Sequence, residues 1–468
     1  MHRYSIIYLF LKHRKQKPVP KGRFDTLPKV TVQLPIFNEL YVVRRLIQAV
    51  GKLDYPQELL QIQILDDSTD ETRGMCEEEA EKLREMGHNV ELIHRVDRTG
   101  FKAGALENGM ASATGEYIFI LDADFIPPEN ILHEMIHFFT DDKIGMIQTR
   151  WGHINRKYSL LTRIQAMFLD GHLLLEQTAR SRAGRFFNFN GTGGIWRKSC
   201  IEDAGGWQHD TLTEDLDLSY RAQMKGWKFV FLNDVVTPAE LPVDMDGFKS
   251  QQHRWTKGSI QTCKKILGAI WRSDLPFIIK AEATAHLTSN FAYLLLIFLC
   301  FLVFPMEVGP EEAKWRFLLL DAPIFMLASV SVCIFYLCSQ MALYPKRWIR
   351  EIIYLPLLLA LGIGMSINNG KAELEALFNQ ETAFIRTPKY GIEQAKADLR
   401  KARYKALKSF ALFFELALAI YFTALVAYSW HRGFWGSVPF LTLFVVGFWY
   451  VSMGSIKRLL PAPALAKA

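Results

Sequence analysis

YIFILDAD, residues 117–124, is a run of five apolar residues that ends on two carboxylates one residue apart. The run has the length of a buried strand, and the acids mark where it stops. The same pattern recurs upstream. KVTVQLP (29–35) is a strand rich in β-branched residues, LQIQIL (60–65) is a second that stops at Asp66-Asp67, and VELIH (90–94) is a third. Helical patterns separate them: from Asn38, read as a cap, to about Gly51 with Val42, Leu46 and Ala49 along one face; from about Glu71 to Met86; and from Phe101 to Ala113. Strand and helix alternate four times, which predicts a mostly parallel α/β sheet covered on both faces. In such sheets ligands bind beyond the carboxyl ends of the strands, where both acidic pairs lie.

Outward from this unit the composition changes. The chain has 468 residues, half of them hydrophobic, yet its mean hydropathy is only +0.06. Such an average hides a polar part joined to a membrane part. No apolar run before about Trp271 reaches spanning length, whereas five segments near 284–305, 317–344, 352–367, 410–430 and 438–455 approach the roughly 20 residues that a crossing helix needs. The expected organisation is an apolar stub and basic linker (1–28), a cytosolic catalytic domain (29–250), interfacial helices (251–282), a transmembrane domain (283–460) with a cytosolic insert at about 371–409, and a tail (461–468). The stub, YSIIYLFL at 4–11, is too short to span and reads as an interfacial anchor or the remnant of a longer helix. From about Arg254 to Trp271, Trp255, Ile266 and Ile270 oppose Lys257, Lys264 and Lys265, as in a helix lying among lipid headgroups.

Loop charges orient the membrane part. The acidic loop Glu307–Glu312 reads as outside; Lys346, Arg347 and Arg350, and the basic stretch from Lys371 to Lys408, read as inside. These assignments conflict if all five segments cross. The shortest, 352–367, contains Pro356, Gly362 and Gly364, so four full spans are expected with this segment interfacial or re-entrant. The net charge of +7 fits that cytosolic bias and calls for no nucleic acid. The six cysteines form no CxxC pair and read as reduced and structural.

Three clusters carry chemistry. Asp122 and Asp124 at a strand end suit a divalent cation, Mg²⁺ or Mn²⁺, held against a diphosphate. Asp66 or Asp67 can accept hydrogen bonds from a base or ribose, although strand-end acids also cap helices. In TLTEDLDLSYR (211–221), Asp215 suits a general base and Glu214 beside it joins the substrate-binding set; an acidic first helical turn is the simpler alternative. In QQHRW (251–255), Arg254 suits phosphate and Trp255 suits a sugar face, and the pair equally suits a membrane-interface anchor.

The ordered series ILDDSTD, FKAGAL, LDAD, FNGTGG, TEDLDLSYR and QQHRW resembles the family 2 glycosyltransferases that build β-linked polysaccharides. It is most similar to the cellulose-synthase-like A group of mannan and glucomannan synthases and their bacterial relatives, from about Val30 to Gly391. The resemblance implies a Rossmann-like glycosyltransferase-A domain followed by transmembrane helices. It implies that Asp66 or Asp67 contacts the base, that Lys102 lies near the nucleotide, and that Asp122 and Asp124 hold nucleotide and metal. Gly191, Thr192 and Gly193 would line the acceptor path, Trp151 would stack on the acceptor, and Asp215 would be the catalytic base. Gln251, Arg254 and Trp255 would bind the acceptor terminus and pyrophosphate. FIRTPK (384–389) resembles a gating loop over the donor, with Phe384, Thr387 and Lys389 in contact; Arg386 and Pro388 depart from the cellulose-synthase pattern. The implied partners are a nucleotide-diphosphate sugar of the UDP-glucose or GDP-mannose class, a polysaccharide or glycolipid acceptor, and membrane lipids. Two rival readings stand beside this one: transfer of a single sugar to a lipid-linked acceptor, and a transporter or scaffold that binds nucleotide-sugars without turnover.

Overall fold

The computed structural model describes residues 2–308, 322–381, 386–392 and 411–459. Its centre is a seven-stranded mixed sheet. The first four strands are β1 (Val30–Ile36), β2 (Leu60–Asp66), β3 (Asn89–His94) and β4 (Tyr117–Ile120); β5 (Ile144–His153), β6 (Gly194–Arg197) and β7 (Lys228–Ala239) complete it in the order β3-β2-β1-β4-β6-β5-β7. The first four pair in parallel, β6 runs antiparallel to both β4 and β5, and β7 returns parallel to β5. The order reverses between β1 and β4, so their carboxyl ends open a crevice.

The alternation in LQIQIL has a physical explanation on each face. Ile62 and Ile64 join the apolar cluster with Val32, Leu34 and Leu46. Gln61 and Gln63 point the other way but are buried as well, and their amides bond Thr31, Gln33, Glu91 and Ser112. Burying an amide costs little once it is paired.

Two local expectations need correction. Asn38 does not cap the first helix. That helix is Val43–Val50, and Asn38 sits before it at φ +54° with its side chain bonded to Thr69. Of the expected face, Val42 and Leu46 are buried and Ala49 is half-buried, and the core also takes Val43, Ile47 and Val50 of this segment.

The expected headgroup-facing helix is also different. Residues 251–271 belong to one helix, Met245–Arg272, in which Lys249 and Lys257 are buried by protein while Lys264 stays exposed. Lys257 is buried against Glu375 and the Gln380 carbonyl, while Lys264 donates to the Ala376 and Leu377 carbonyls at the end of helix Ser366–Leu377. A cation at that end offsets the helix dipole. Ile266 and Ile270 pack with Phe186, Leu216 and Tyr220 of the sheet domain. Periodicity separated the two faces of this helix but carried no information about what covers them.

Beyond it lie apolar helices. Among the described residues two, Ala411–His431 and Val438–Lys457, are long and apolar enough to cross a membrane. Two bent pairs, Phe277–Leu287 with Ser289–Val303 (46°) and Trp348–Gly364 with Ser366–Leu377 (41°), raise the number to four if each counts as one span. Segment 352–367 thus runs through a bend into a second helix. Most of the acidic loop after Glu307, the start of segment 317–344 and residues 393–410 of the basic insert lie outside the described residues. The N-terminal stub is a helix, His2–His13, that buries Ile6, Ile7 and Phe10 in one cluster with Leu174, Phe335 and Tyr336. The six cysteines are free thiols.

One ionic node ties the sheet domain to the apolar helices. Asp170 is buried and bonds His153 (3.1 Å), Arg156 (2.6 Å) and Gln340 (3.2 Å). Arg156 reaches on to Gln340 and Glu351, both 3.1 Å away.

Candidate active site

The crevice at the sheet's reversal opens into a cavity that communicates with solvent. β2 delivers Asp67 to its wall, β1 delivers Pro35, Ile36 and Phe37, and the chain after β4 delivers Asp122 and Asp124. Helix Glu214–Met224 contributes Glu214 and Asp215 from its first turn. Helix Met245–Arg272, capped by the Asp244 carboxylate accepting from the Gly247 N–H (2.8 Å), contributes Gln251, Arg254 and Trp255. The spacing i, i+3, i+4 places these three on one face. Thr387 and Lys389 close over the top, and Trp151 forms part of the side wall.

Lys102 links these groups. Its ammonium donates to Asp122 Oδ1 at 2.6 Å and to the Gly191 carbonyl at 2.8 Å, and lies 4.0 Å from Glu214. Burial disfavours its charge, but Asp122 and Glu214 more than compensate and hold its pKa above the ordinary lysine value. Asp215 is treated oppositely. Burial, then the neighbouring Glu214, push its carboxyl up to about 7, against the opposing pull of Lys102 and the Leu216 N–H. Gly191 is required here. Its φ is +82°, and a Cβ there would lie 3.1 Å from Asp215 Oδ2.

A carboxylate poised near neutrality beside a cavity is suited to taking a proton from a hydroxyl. Only its ionised form can do so. The kcat/KM of a reaction that uses this base is therefore expected to climb about tenfold per pH unit below about 7 and to level off above it, since this parameter reports the free enzyme. A profile flat from pH 5.5 to 8 would exclude Asp215 as the base.

The other carboxylates carry ammonium partners. Lys389 donates to Asp124 Oδ2, as Lys102 does to Asp122. Positive charge thus already stands against both acids, and their donors are oxygens only. That chemistry fits a hard divalent cation whose remaining ligands are phosphate oxygens. Among the described residues no group of three or more His, Cys, Asp or Glu gathers into a cage, so the protein alone supplies few ligands.

Some expected residues sit behind the wall. Asp66 is fully buried, with its oxygens taken by the Ser68 N–H (3.1 Å) and His94 (2.7 Å). Thr192 accepts the Asp122 N–H at 2.8 Å, and the Gly193 N–H donates to the Ile120 carbonyl at 2.9 Å; neither lines the cavity. Phe384 lies outside the described residues. Several lining residues were not anticipated: Glu39, Arg98, His153, Asn190 and Glu240. Glu39 receives Arg386 at 2.6 Å, and Glu240 accepts the Tyr390 N–H at 3.0 Å, so both fasten the 386–390 segment over the cavity. Arg386 was legible only as a departure from pattern, and its partner Glu39 lies more than three hundred positions away.

Residues 28–258 match the model for glycosyltransferase like family 2, and the chain carries a domain of this family over that stretch. Among curated proteins it is 33% identical over 353 residues to glucomannan 4-beta-mannosyltransferase 7 of Arabidopsis thaliana, covering 70% of this chain and 63% of that one. It is 38% identical over 326 residues to glucomannan 4-beta-mannosyltransferase 1 of Oryza sativa subsp. japonica, covering 66% and 62%. The chain thus spans somewhat under two thirds of these relatives' length. Among solved structures, a mannosyltransferase from Pyrobaculum calidifontis in complex with GDP-Man and Mn2+ matches 81% of this chain and 96% of its own, with TM-score 0.57 and 21% identity. At that identity the likeness is one of fold: a glycosyltransferase-A-like mixed sheet, followed here by apolar helices.

Proposed function

We propose that the protein is an inverting glycosyltransferase of the β-mannan or glucomannan synthase type, working at a membrane with its sheet domain in the cytosol. The observation that carries the reading is the convergence of Asp215, its pKa raised to about 7, with the Lys102–Asp122 pair and Asp124 around one cavity. The curated relatives' names support a mannosyl donor and a β-1,4-linked polymer.

In this mechanism Asp215 takes the proton from an acceptor hydroxyl as its oxygen attacks the anomeric carbon of the donor. The donor's α bond to diphosphate breaks in the same displacement, leaving a β-linked product. Lys102 and Arg254 offset charge on the departing diphosphate. Gln251 and Trp255 hold the acceptor end, and Thr387 and Lys389 cover the donor and exclude water. Asp122 and Asp124 would hold a divalent cation, Mg²⁺ or Mn²⁺, which when bound supplies Lewis-acid neutralisation of the leaving group.

The test is turnover by the purified full chain in lipid vesicles, offered GDP-mannose, UDP-glucose and UDP-N-acetylglucosamine separately with Mg²⁺ or Mn²⁺. Release of nucleoside diphosphate with a polymer cleaved by β-mannanase, and loss of both in excess EDTA, is the expected result. Short lipid-linked products would move the assignment to single-sugar transfer. Donor binding without turnover would favour the binding-only reading.

A further inference from the structure

The sugar chemistry of the cavity leaves one group of cations unused. Lys346, Arg347 and Arg350 stand outside the cavity wall, where the bent pair Trp348–Gly364 with Ser366–Leu377 begins, and all three are exposed. Among the described residues none of them has an ion pair or a side-chain hydrogen bond. Two large apolar side chains share their surface: Ile349 is 67% exposed and Ile353 is 70% exposed, four positions apart on one helical face. The segment is nevertheless held firmly. Arg156 bonds Glu351 at 3.1 Å and lies 4.9 Å from the Tyr344 ring, while Arg163 donates to the Tyr354 hydroxyl at 2.6 Å. Lys157 and Leu160, which lie between those two arginines in the chain, are exposed as well. Glu351 is the only carboxylate between Tyr344 and Tyr354, and Arg156 draws it inward. The outer face is left with cations and isoleucines and no acid.

We propose that this face is a docking site for anionic phospholipids, with Lys346, Arg347 and Arg350 on the lipid phosphates and Ile349 and Ile353 at the acyl boundary. The inference goes beyond the glycosyltransferase reading and does not depend on the chemistry at the cavity. The isoleucines exclude a purely polar partner, because large apolar side chains grouped on a surface call for an apolar phase to cover them. Within one turn the chain continues into the apolar helix Leu355–Gly364, so the face lies at the level where headgroups give way to acyl chains. Charge then selects the class of lipid. A zwitterionic headgroup carries its own cation and leaves the three positive charges uncompensated, whereas an anionic headgroup neutralises them. Each basic residue at an anionic surface is worth roughly a fivefold preference, so three together give on the order of a hundredfold.

The experiment titrates the purified full chain, in a neutral detergent, with dioleoyl phosphatidylglycerol or dioleoyl phosphatidylcholine. It reads the thermal midpoint, which a ligand of the folded state raises, and the lipids retained in native mass spectrometry. Phosphatidylglycerol should stabilise the wild-type chain at a concentration on the order of a hundredfold below that needed for phosphatidylcholine, and should be the lipid retained. The triple variant Lys346→Gln, Arg347→Gln, Arg350→Gln should lose that preference. A charge-matched control, Lys52→Gln, Lys143→Gln, Lys228→Gln, removes three exposed cations from the sheet domain and should keep it. Arg347→Gln alone should cost roughly fivefold, which keeps the test open if the triple variant folds poorly. Equal action of the two lipids, an undiminished preference in both Arg347→Gln and the triple variant, or an equal loss in the control overturns the assignment. So does the same stabilisation by inorganic phosphate, which would show an anion site without a lipid. None of these outcomes bears on sugar transfer, which is read separately as turnover.

Discussion

Asp215→Asn is expected to lower turnover on the order of 10²- to 10⁴-fold, the range typical of removing a general base, while the protein keeps its fold. Asparagine is nearly the same shape, and its carbonyl can still accept the Leu216 N–H that bonds Asp215 at 2.8 Å. Lys102 keeps Asp122 and the Gly191 carbonyl. The sign of the stability effect separates this variant from a damaged protein. Burial and Glu214 raise the folded-state pKa of Asp215 to about 7, so its carboxylate form is disfavoured by folding. The stability it contributes is full below its unfolded pKa and is lost as pH rises through about 7. A neutral amide removes that loss, so the thermal midpoint at pH 8 should not fall and should rise slightly. Donor binding should persist. Turnover above about a tenth of wild type would mean that another group takes the proton.

How far these features were legible in the sequence follows from how local each one is. The first four strands could be read because each is a short run rich in apolar residues, and the acids that end the second and fourth proved to stand at the carboxyl ends that form the crevice. β6 could not be read. It is only four residues long, Gly194–Arg197, and its antiparallel place between β4 and β5 depends on a connection spanning three helices. Asn38 misled because an asparagine before an apolar stretch is a common cap, whereas here a left-handed backbone turns it toward Thr69.

The site was legible where a motif is contiguous, as in LDAD, TED and QQHRW. Choosing between Asp66 and Asp67 needed three dimensions, because strand alternation turns one inward to His94 and the other toward Arg95 and the cavity. Glu39, Arg98 and Glu240 were invisible for a different reason. Each is one polar residue in a loop or at a strand end, and its meaning comes from a partner far away: Arg386 for Glu39, the Phe37 ring for Arg98, Tyr390 for Glu240. Lys257 shows the reverse failure, since the headgroup-facing side expected for it is covered by helix Ser366–Leu377.

That coupling of the two halves leads to the largest stability effect expected. Asp170→Leu should lower stability by about 3–5 kcal/mol, the range for leaving one member of a buried ion pair without its partner. The carboxylate is buried, and burial by itself would raise its pKa. His153 and Arg156 outweigh that and bring it down to about 2. The ionised state is therefore the favoured folded one; its contribution is present at neutral pH and lost only as pH falls toward 2. In the variant, Arg156 keeps Glu351 and Gln340 at 3.1 Å and the Tyr344 ring at 4.9 Å but loses its 2.6 Å partner. For a domain of this size the loss corresponds to a fall of roughly 10 °C in thermal midpoint, compared at one scan rate because unfolding of a multidomain chain is seldom reversible. The second arm is Asp170→Leu with Arg156→Met. Once the charge left behind is also removed, the double variant should recover part of the loss, because coupled neighbours are not additive. Midpoints that simply add would show that Arg156 finds water or Glu351 enough by itself, and that Asp170 is not the group joining the sheet domain to the apolar helices.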